Sequence, residues 1–589
     1  MNMDDQQKLV FKFKKKAAID GSPILPLTEK QLETWLLNLP MMNVMDAGVR
    51  LERYLHHLNL IDISDKLRFK LLECIKPTIH VFMKLFYKGM HGRLIDLTDE
   101  GKDIHRLVLT INKGMAEAYM FLLQQLANKE PGLLSRKKYV ELINKSLFYL
   151  GAQLHLSYLI YAPQPKGIWK AMHQIYVYAL QRKLHHIKMT DKDIYKYGSV
   201  TPEQIYKRLL LQSMISPNSI KSAQLVQVYL GMMPWLDGIK IIADTNVEAH
   251  GVGHYIDVMS DIGPVNLQDY KQEDHKFNWK IDNNNLIEQL ERWFSEGGYS
   301  DPETHVSLSK DLITYLILML KAHFVAKSKR TASSGILKTI IGLTQTLAEL
   351  KLEEHEEPVD ELALQEVMEN TNSDINWAIK DTSGDVWELS HYTIVDETTT
   401  EEEEPESEPE TPKKSEQQID IFPWNILDTS PRGYRISCQL DEETVMSIGE
   451  LLLVKPIDEC TDEQQPKWKL ATVCWMDVSP QSHEVNMGLH ILGQHVQRIH
   501  VAKQISEKTK YEDCLLIDDT QLLEPSTLLM SRHYANTGDE LLVKAQQKVY
   551  KIRIDDVVWY SDGFSQFHFH LLSEPEDSDK IVSNIAVHN

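Results

Sequence analysis

Cysteine is scarce in this chain of 589 residues, and none of it is arranged in pairs: Cys74, Cys438, Cys460, Cys474 and Cys514 are scattered, with no CxxC and an odd count. That fits neither a disulfide framework nor a zinc site, and it is the pattern of a chain kept in a reducing cytoplasm. GxxxxGK[ST], GxSxG, HExxH and the kinase set are also lacking, so no catalytic signature stands out and an enzyme is not expected. Near the N-terminus Lys8, Lys12, Lys14, Lys15 and Lys16 are interrupted by Phe11 and Phe13, but no apolar core or cleavage site follows, so export by a recognisable signal is not expected. One stretch, Ser146 to Pro165, lacks charged side chains and has the length of a membrane span. Gln153, His155, Ser157, Pro163 and Pro165 within it, and its tyrosine-rich apolar positions, favour a buried helix in a soluble bundle over a transmembrane span.

Positive charge is the other shortage. The chain has 63 Lys+Arg against 85 Asp+Glu, a net charge of -22. A protein that binds nucleic acid gains its affinity by neutralising phosphates with clustered Lys and Arg, so that partner is not expected. The acid is concentrated between Leu352 and Asp420, where 23 carboxylates face only Lys380, Lys413 and Lys414. This stretch accounts for about -20 of the total, and the rest of the chain is close to neutral. Glu397 to Pro412 is Glu, Thr, Ser and Pro with no apolar side chain beyond proline. It cannot bury enough surface to offset the entropy of ordering, so it reads as an extended acidic linker.

What is present reads as a multidomain α + β chain. Thr28-Glu-Lys-Gln31 and Thr201-Pro-Glu-Gln204 have the capping-box form, and Pro202 occupies the first helical position, where a missing N–H costs nothing. Apolar residues at three-to-four spacing predict helices over Asp65–Lys88, Lys102–Ala127, Arg136–Tyr161, Lys166–Leu184 and Asp311–Ala326, a bundle or helical array without a strict repeat. Between residues 238 and 282, short β-branched and aromatic runs predict a small β insertion. After Ile419 the runs Gly449–Lys455, Trp468–Trp475, Val485–Leu492 and Val496–Val501 have the spacing of a small β-barrel. Gly538–Lys544 repeats the Gly449 segment at an offset of 89, and Tyr550–Trp559 resembles Trp468–Trp475, with the tryptophans 84 apart. Two related β modules in tandem follow from this.

The expected organisation is a basic tail (1–20), a helical domain (21–351), an acidic helical or irregular segment (352–395, with helix around Leu362–Trp387), a disordered acidic linker (396–417), one β-barrel (418–505), a second β module (506–575) and a tail (576–589).

Two constellations of side chains invite a chemical reading. His250-Gly-Val-Gly-His254, with Asp244, Glu248 and Asp257 nearby, is metal-like in composition. Two histidines four apart face one side only on a helix, which the glycines make improbable, so a loop or strand with no metal is expected. His185 and His186 follow Lys183 and Leu184 at a helix end, where cations favour the dipole, and need no further role. The second constellation is Asp428-Thr-Ser-Pro-Arg-Gly433, between strand-like Ile421–Leu427 and Tyr434–Gln439. An acceptor, a hydroxyl and a guanidinium on one turn can read a guanine edge or a phosphate, and Gly433 permits a tight turn or a close backbone approach. An Asx or Ser turn would use the same residues.

This segment resembles a PilZ domain, the small bacterial β-barrel that binds cyclic di-GMP and carries a D/N-x-S-x-x-G motif, matched here at Asp428, Ser430 and Gly433. Gly449-Glu-Leu-Leu-Leu-Val, Ala471-Thr-Val-Cys-Trp475 and Met487-Gly-Leu-His-Ile-Leu492 are similar to its following strands, so the resemblance covers about 418–502. The order of helical domain and barrel is similar to that of the large PilZ-related receptors tied to pilus function and surface attachment in gammaproteobacteria. The resemblance implies a cytoplasmic bacterial effector that binds cyclic di-GMP through Asp428, Ser430, Arg432 and Gly433 and signals to a protein partner through the helical domain, with no other cofactor.

The chain departs from the family in one respect: it has no R-x-x-x-R, the pair that PilZ receptors place before the motif to clamp the phosphates. The acidic run 401–410 lies there instead. Lys413 and Lys414, or the distant cluster Lys327-Ser-Lys-Arg330 before a possible strand at Ile336–Leu343, are the remaining phosphate contacts. The alternative expectation is a scaffold whose barrels have lost the ligand.

Overall fold

A computed structural model describes residues 9–13, 26–90, 99–128, 135–192, 194, 198–243, 253–266, 279–302, 304–321, 330–353, 419–439, 446–457, 467–479, 484–503, 511–518, 525–545, 548–561, 563–572 and 576–577. Two compact units divide the chain: one holds residues 1–324 with 440–446 and 477–484, the other 325–439, 447–476 and 485–589.

The first unit is helical. In order come α1 (Glu29–Leu37), α2 (Val44–Leu60), α3 (Asp65–Met90), α4 (Asp99–Ala127), α5 (Arg136–Leu159), α6 (Ile168–Gln181), α7 (Pro202–Met214), α8 (Ser222–Gly231), α9 (Asn284–Ser295) and α10 (Lys310–Lys321). The Thr28 hydroxyl accepts from the Gln31 amide at the head of α1. Thr201 and Gln204 form the full reciprocal box at α7, so both starts follow from the local sequence. Helix α5 is the hub: it packs on α4, α6 and α7, and nearly every residue from Tyr139 to Leu159 is buried. That all-round burial is why its sequence carries so few charges. Among the described residues no helix is long and apolar enough to cross a membrane.

Short pairs β1 (Met189–Thr190) with β2 (Ser199–Val200) and β7 (Tyr299–Asp301) with β8 (Val306–Leu308) decorate the helices. The β insertion is a four-stranded sheet ordered β3 (Lys240–Ala243), β6 (Trp279–Asp282), β4 (His254–Ile256), β5 (Val265–Asn266). The expected basic tail is partly structured: Leu9 is buried, the Phe11 amide donates to Gln124 Oε1 at 2.6 Å, and Phe13 meets Phe121 edge-on. Apolar side chains interrupting the lysines give this segment something to bury.

The second unit contains two β-barrels. The first is closed by β9 (Thr331–Ile341), β10 (Phe422–Ser430), β11 (Gly433–Gln439), β12 (Leu451–Ile457), β13 (Lys469–Val478) and β14 (Glu484–Gly493), in the ring order β10-β11-β14-β13-β12-β9. Strand β9 pairs antiparallel with both β10 and β12. It is followed by α11 (Leu343–Glu353). This moves the expected boundary: the barrel begins at Thr331, inside the span expected to be helical domain, and the acidic stretch is an insertion between its first two strands. The helix expected over Leu362–Trp387 and the linker at 396–417 lie outside the described residues.

The second barrel uses β15 (Val496–Lys503), β16 (Glu512–Ile517), β17 (Thr527–Ser531), β18 (Glu540–Ala545), β19 (Lys548–Tyr560) and β20 (Phe564–Leu571), with β21 (Glu576–Asp577) added beside β19. Its pairings close as β16-β17-β20-β19-β18-β15, the same order as the first barrel shifted by six strands. Strand β15, expected to finish the first barrel, therefore opens the second. The repeat reaches the level of hydrogen bonds. Gly449 and Gly538 both adopt positive φ, 81° and 91°, conformations that favour glycine. Their amides donate to Val473 and Ile554 carbonyls, each at 2.8 Å, and the return bonds run from Val473 to Glu450 and from Ile554 to Asp539. Val473 thus corresponds to Ile554. Trp559 lies beyond two register shifts in β19, so it is not the counterpart of Trp475, and the offset of 84 does not mark equivalent positions. The two barrels share a core in which Ile340, Leu451, Leu453 and Trp468 meet Leu515, Leu529, Trp559 and Phe564.

Candidate functional site on the first barrel

The site is built where β9, β10 and β11 run side by side. Along β10, Trp424 and Ile426 face inward, and simple alternation would turn Asp428 into the barrel as well. A register shift between Ile426 and Asp428, seen against both neighbours, adds one residue on β10 against β11 and resets the phase. Asp428 then stands outside, opposite Ala332 of β9 and Arg435 of β11.

Two guanidinium groups flank its carboxylate. Arg330 Nη1 donates to Asp428 Oδ1 at 2.9 Å, and Arg435 Nη1 lies 3.8 Å from Oδ2. Asp428 keeps only 17 % of its side chain exposed while both arginines remain about half open to solvent. The Arg435 guanidinium also lies 6.0 Å from the centre of the Trp475 ring on β13. Gly488 of β14 leaves room for that indole: a Cβ there would meet Trp475 Nε1 at 1.9 Å.

The rest of the motif sets the hairpin. Ser430 pairs with Gly433 across a two-residue turn, Pro431 and Arg432. The Ser430 hydroxyl donates to the Gly433 carbonyl at 3.3 Å. Gly433 has no positive φ; it is needed for close approach, because a Cβ would stand 2.2 Å from the Leu489 carbonyl oxygen of β14. Backbone cannot yield as a side-chain tip can, so Gly433→Ala is expected to cost about 1–3 kcal/mol, readable as a lowered denaturation midpoint with unchanged m-value.

Arg432 is exposed at the turn, and its carbonyl accepts from the Ile491 amide at 3.0 Å. It lies near His490, which stacks on Trp559 with ring planes 11° apart. Burial, with the Arg432 charge adding to it, pushes the His490 imidazole down to about 4, so it is neutral at physiological pH.

Of the residues singled out from sequence, Asp428, Ser430, Arg432, Gly433 and Arg330 come together on this face. Lys327, Lys413 and Lys414 lie outside the described residues. Arg435 and Trp475 were missed as site residues. Arg435 had a signal, since it follows Gly433 by two on a strand and so shares its side, but Trp475 needed the barrel's strand order. Of the other cluster, His250, Asp244 and Glu248 lie outside the described residues. His254 is a buried member of β4, and the Asp257 carboxylate accepts from the Met259 amide. Among the described residues that cluster forms no metal site.

Comparison with known proteins agrees with this architecture. Residues 30–244 match the family model for the N-terminal domain of the cyclic-di-GMP receptor FimW, and residues 254–497 match the model for its middle PilZ domain. The chain belongs to the PilZ-domain proteins. The PilZ match spans the acidic insertion and ends where β15 begins, as expected if β9 is the first barrel strand. The chain is similar to the cyclic-di-GMP receptor FimW of Pseudomonas aeruginosa, with 24 % identity over 221 residues. That match covers 37 % of this chain and 36 % of the relative's length. No solved structure matches.

Proposed function

We propose that this PilZ protein is a bacterial cytoplasmic effector that binds cyclic di-GMP on the outer wall of its first barrel and passes the signal to a protein partner through its helical unit. The observation that carries the reading is the ion pair between Arg330 and Asp428. It brings Arg330, just before the first barrel strand, onto the D-x-S-x-x-G motif. The acidic run enters the chain between β9 and β10, whereas Arg330 stands before the first barrel strand. Arg330, with Lys327 nearby in sequence, is the counterpart of the missing pair in position.

The chemistry suits the ligand. A carboxylate accepts from the N–H groups on a guanine edge, and guanidinium groups engage phosphate oxygens in a planar fork or stack on a purine. Arg330 and Asp428 neutralise each other in the free protein, so the ligand would replace one charge-assisted hydrogen bond with others rather than expose an unpaired charge. Ser430, Arg432 and Gly433 shape the hairpin beside them. The match to a receptor named for this nucleotide supports the same reading.

Calorimetry with cyclic di-GMP on the full chain tests it. Saturable binding of one site is expected, weakened at least about tenfold, or 1.4 kcal/mol, by Arg330→Ala. No detectable heat and no thermal shift with the wild-type chain would sink the reading and favour the scaffold.

A further inference from the structure

The end of α6 is a Schellman motif: Leu184 donates to the Ala179 carbonyl at 2.8 Å and Lys183 to Leu180 at 3.0 Å, with Lys183 at φ 52°. The reversal carries His185 and His186 to the first turn of α7, where the Glu203 amide donates to the His185 carbonyl at 3.2 Å. His186 Nδ1 lies 2.6 Å from Glu203 Oε2. One ligating atom from each of His185, His186 and Glu203 falls within 4.8 Å of the others. The second carboxylate oxygen, Oε1, pairs with Lys207 Nζ at 3.2 Å, which leaves Oε2 to the histidines.

His185 supplies an independent observation. Its Nδ1 is buried without a hydrogen-bond partner, and its ring lies 4.0 Å from that of His186, centre to centre. A buried ring nitrogen left without a partner is costly unless something binds it.

We propose that His185, His186 and Glu203 form a binding site for a divalent transition-metal ion of the zinc class. Two imidazole nitrogens and one carboxylate oxygen are a donor set such ions accept, with the remaining coordination position open to water. The ion would tie the end of α6 to the start of α7. The adjacent histidines, which the sequence explains as a charge at a helix end, acquire a different role once Glu203 is beside them.

Chelator-treated full-length chain titrated with Zn2+, and with Co2+ as a visible probe, decides the matter. The chain has 24 histidines, so the readout is the difference between wild type and variants. One tight equivalent, with a Co2+ d–d band showing nitrogen and oxygen ligation, is expected in the wild type. His186→Ala and Glu203→Gln should each weaken that equivalent at least about tenfold. The His186 side chain is 71 % exposed, so its loss leaves the fold intact, which matching circular dichroism of the metal-free proteins checks. Absence of a saturating equivalent, or equal uptake by the wild type and both variants, would overturn the site.

Discussion

A fragment of residues 415–589 will fail to form the first barrel, whereas residues 325–589 will form it. The shorter fragment begins after the acidic stretch, where composition alone would cut, and it contains the whole D-x-S-x-x-G motif and every later strand. It lacks β9. That strand pairs along β10 from Phe422 to Thr429 and along β12 from Leu452 to Ile457, and it buries Leu337 and Ile340 completely. Removing it opens the ring, leaves β10 and β12 as unpaired edges, and takes two core side chains worth about 1.5–3 kcal/mol each. Together with the lost ladders this is comparable to the whole stability of a domain, about 5–15 kcal/mol. The second barrel has all its strands in both fragments, so the readout must belong to the first. Trp424 and Trp468 are buried there, and their emission should move to the red in 415–589 but not in 325–589. A native-like, cooperative loss of that fluorescence signal in the shorter fragment would show that β9 is dispensable.

The complementary change should be mild. Asp420 donates its amide to Gln345 Oε1 on α11 at 3.3 Å, so the chain returns within eight helical residues, about 12 Å, of where it leaves at Glu353. A flexible linker of about 15 residues has a root-mean-square span near 20 Å and replaces residues 357–415 without strain. Shortening the loop by about two halvings lowers its closure entropy by roughly 1 kcal/mol, so the melting temperature of the barrel is expected to hold or rise slightly.

This error in domain boundary shows what the sequence makes legible. The helices of the first unit are local objects: the two Thr boxes, Pro202 and the apolar periods mark α1, α3 to α7 and α10 within a few residues of where they occur, while α2, α8 and α9 are not marked. The strands of the first barrel are also visible one by one, including the run at Ile336 that belongs to β9; β16, β17 and β20 of the second are not marked. Which strand pairs with which was not visible, because β9 finds β10 about 80 residues away across a stretch that carries nearly all the net charge. The duplication could have revealed it, since the second barrel repeats the order without that insertion, but only β12 and β18 kept a recognisable signature around their glycines. At the site, Asp428, Ser430 and Gly433 could be read as a motif. The bulge that turns Asp428 outward, and the approach of Arg330 and Arg435 to it, arise from strand register, which no local pattern records.

In the helical unit the largest single-residue effect is expected from Lys145→Met, at about 3–5 kcal/mol. Lys145 lies on α5 with only 4 % of its side chain exposed, and its Nζ is 2.7 Å from Glu73 of α3 and 2.8 Å from Glu141 one turn away. The Tyr119 hydroxyl of α4 donates to the same Glu73 oxygen at 2.7 Å, so three helices meet on one carboxylate. Methionine fills a similar volume but leaves two partly buried carboxylates facing each other with their shared cation gone. Adding Glu73→Gln should recover part of the loss, because it removes one of two carboxylates left with a single lysine each, Lys76 on Glu73 and Lys138 on Glu141; a double variant no better than the single one would point to packing instead. The pH dependence gives a sharper check. Burial by itself raises the proton affinity of Glu73, but the charge and hydrogen bond of Lys145, with Tyr119 and Lys76, bring it net below the usual carboxylate range. A depressed carboxylate contributes stability that is complete above its unfolded pKa, near 4.3, and is lost as pH falls through the lower folded value. In Lys145→Met the burial effect loses its main opponent, Glu73 takes up a proton more readily in the folded state than in the unfolded one, and acid relieves the variant. Denaturation measured from pH 7 to 4 should therefore show the gap between wild type and Lys145→Met narrowing as pH falls. A gap that stays constant over that range would mean that the cost lies in shape and not in charge.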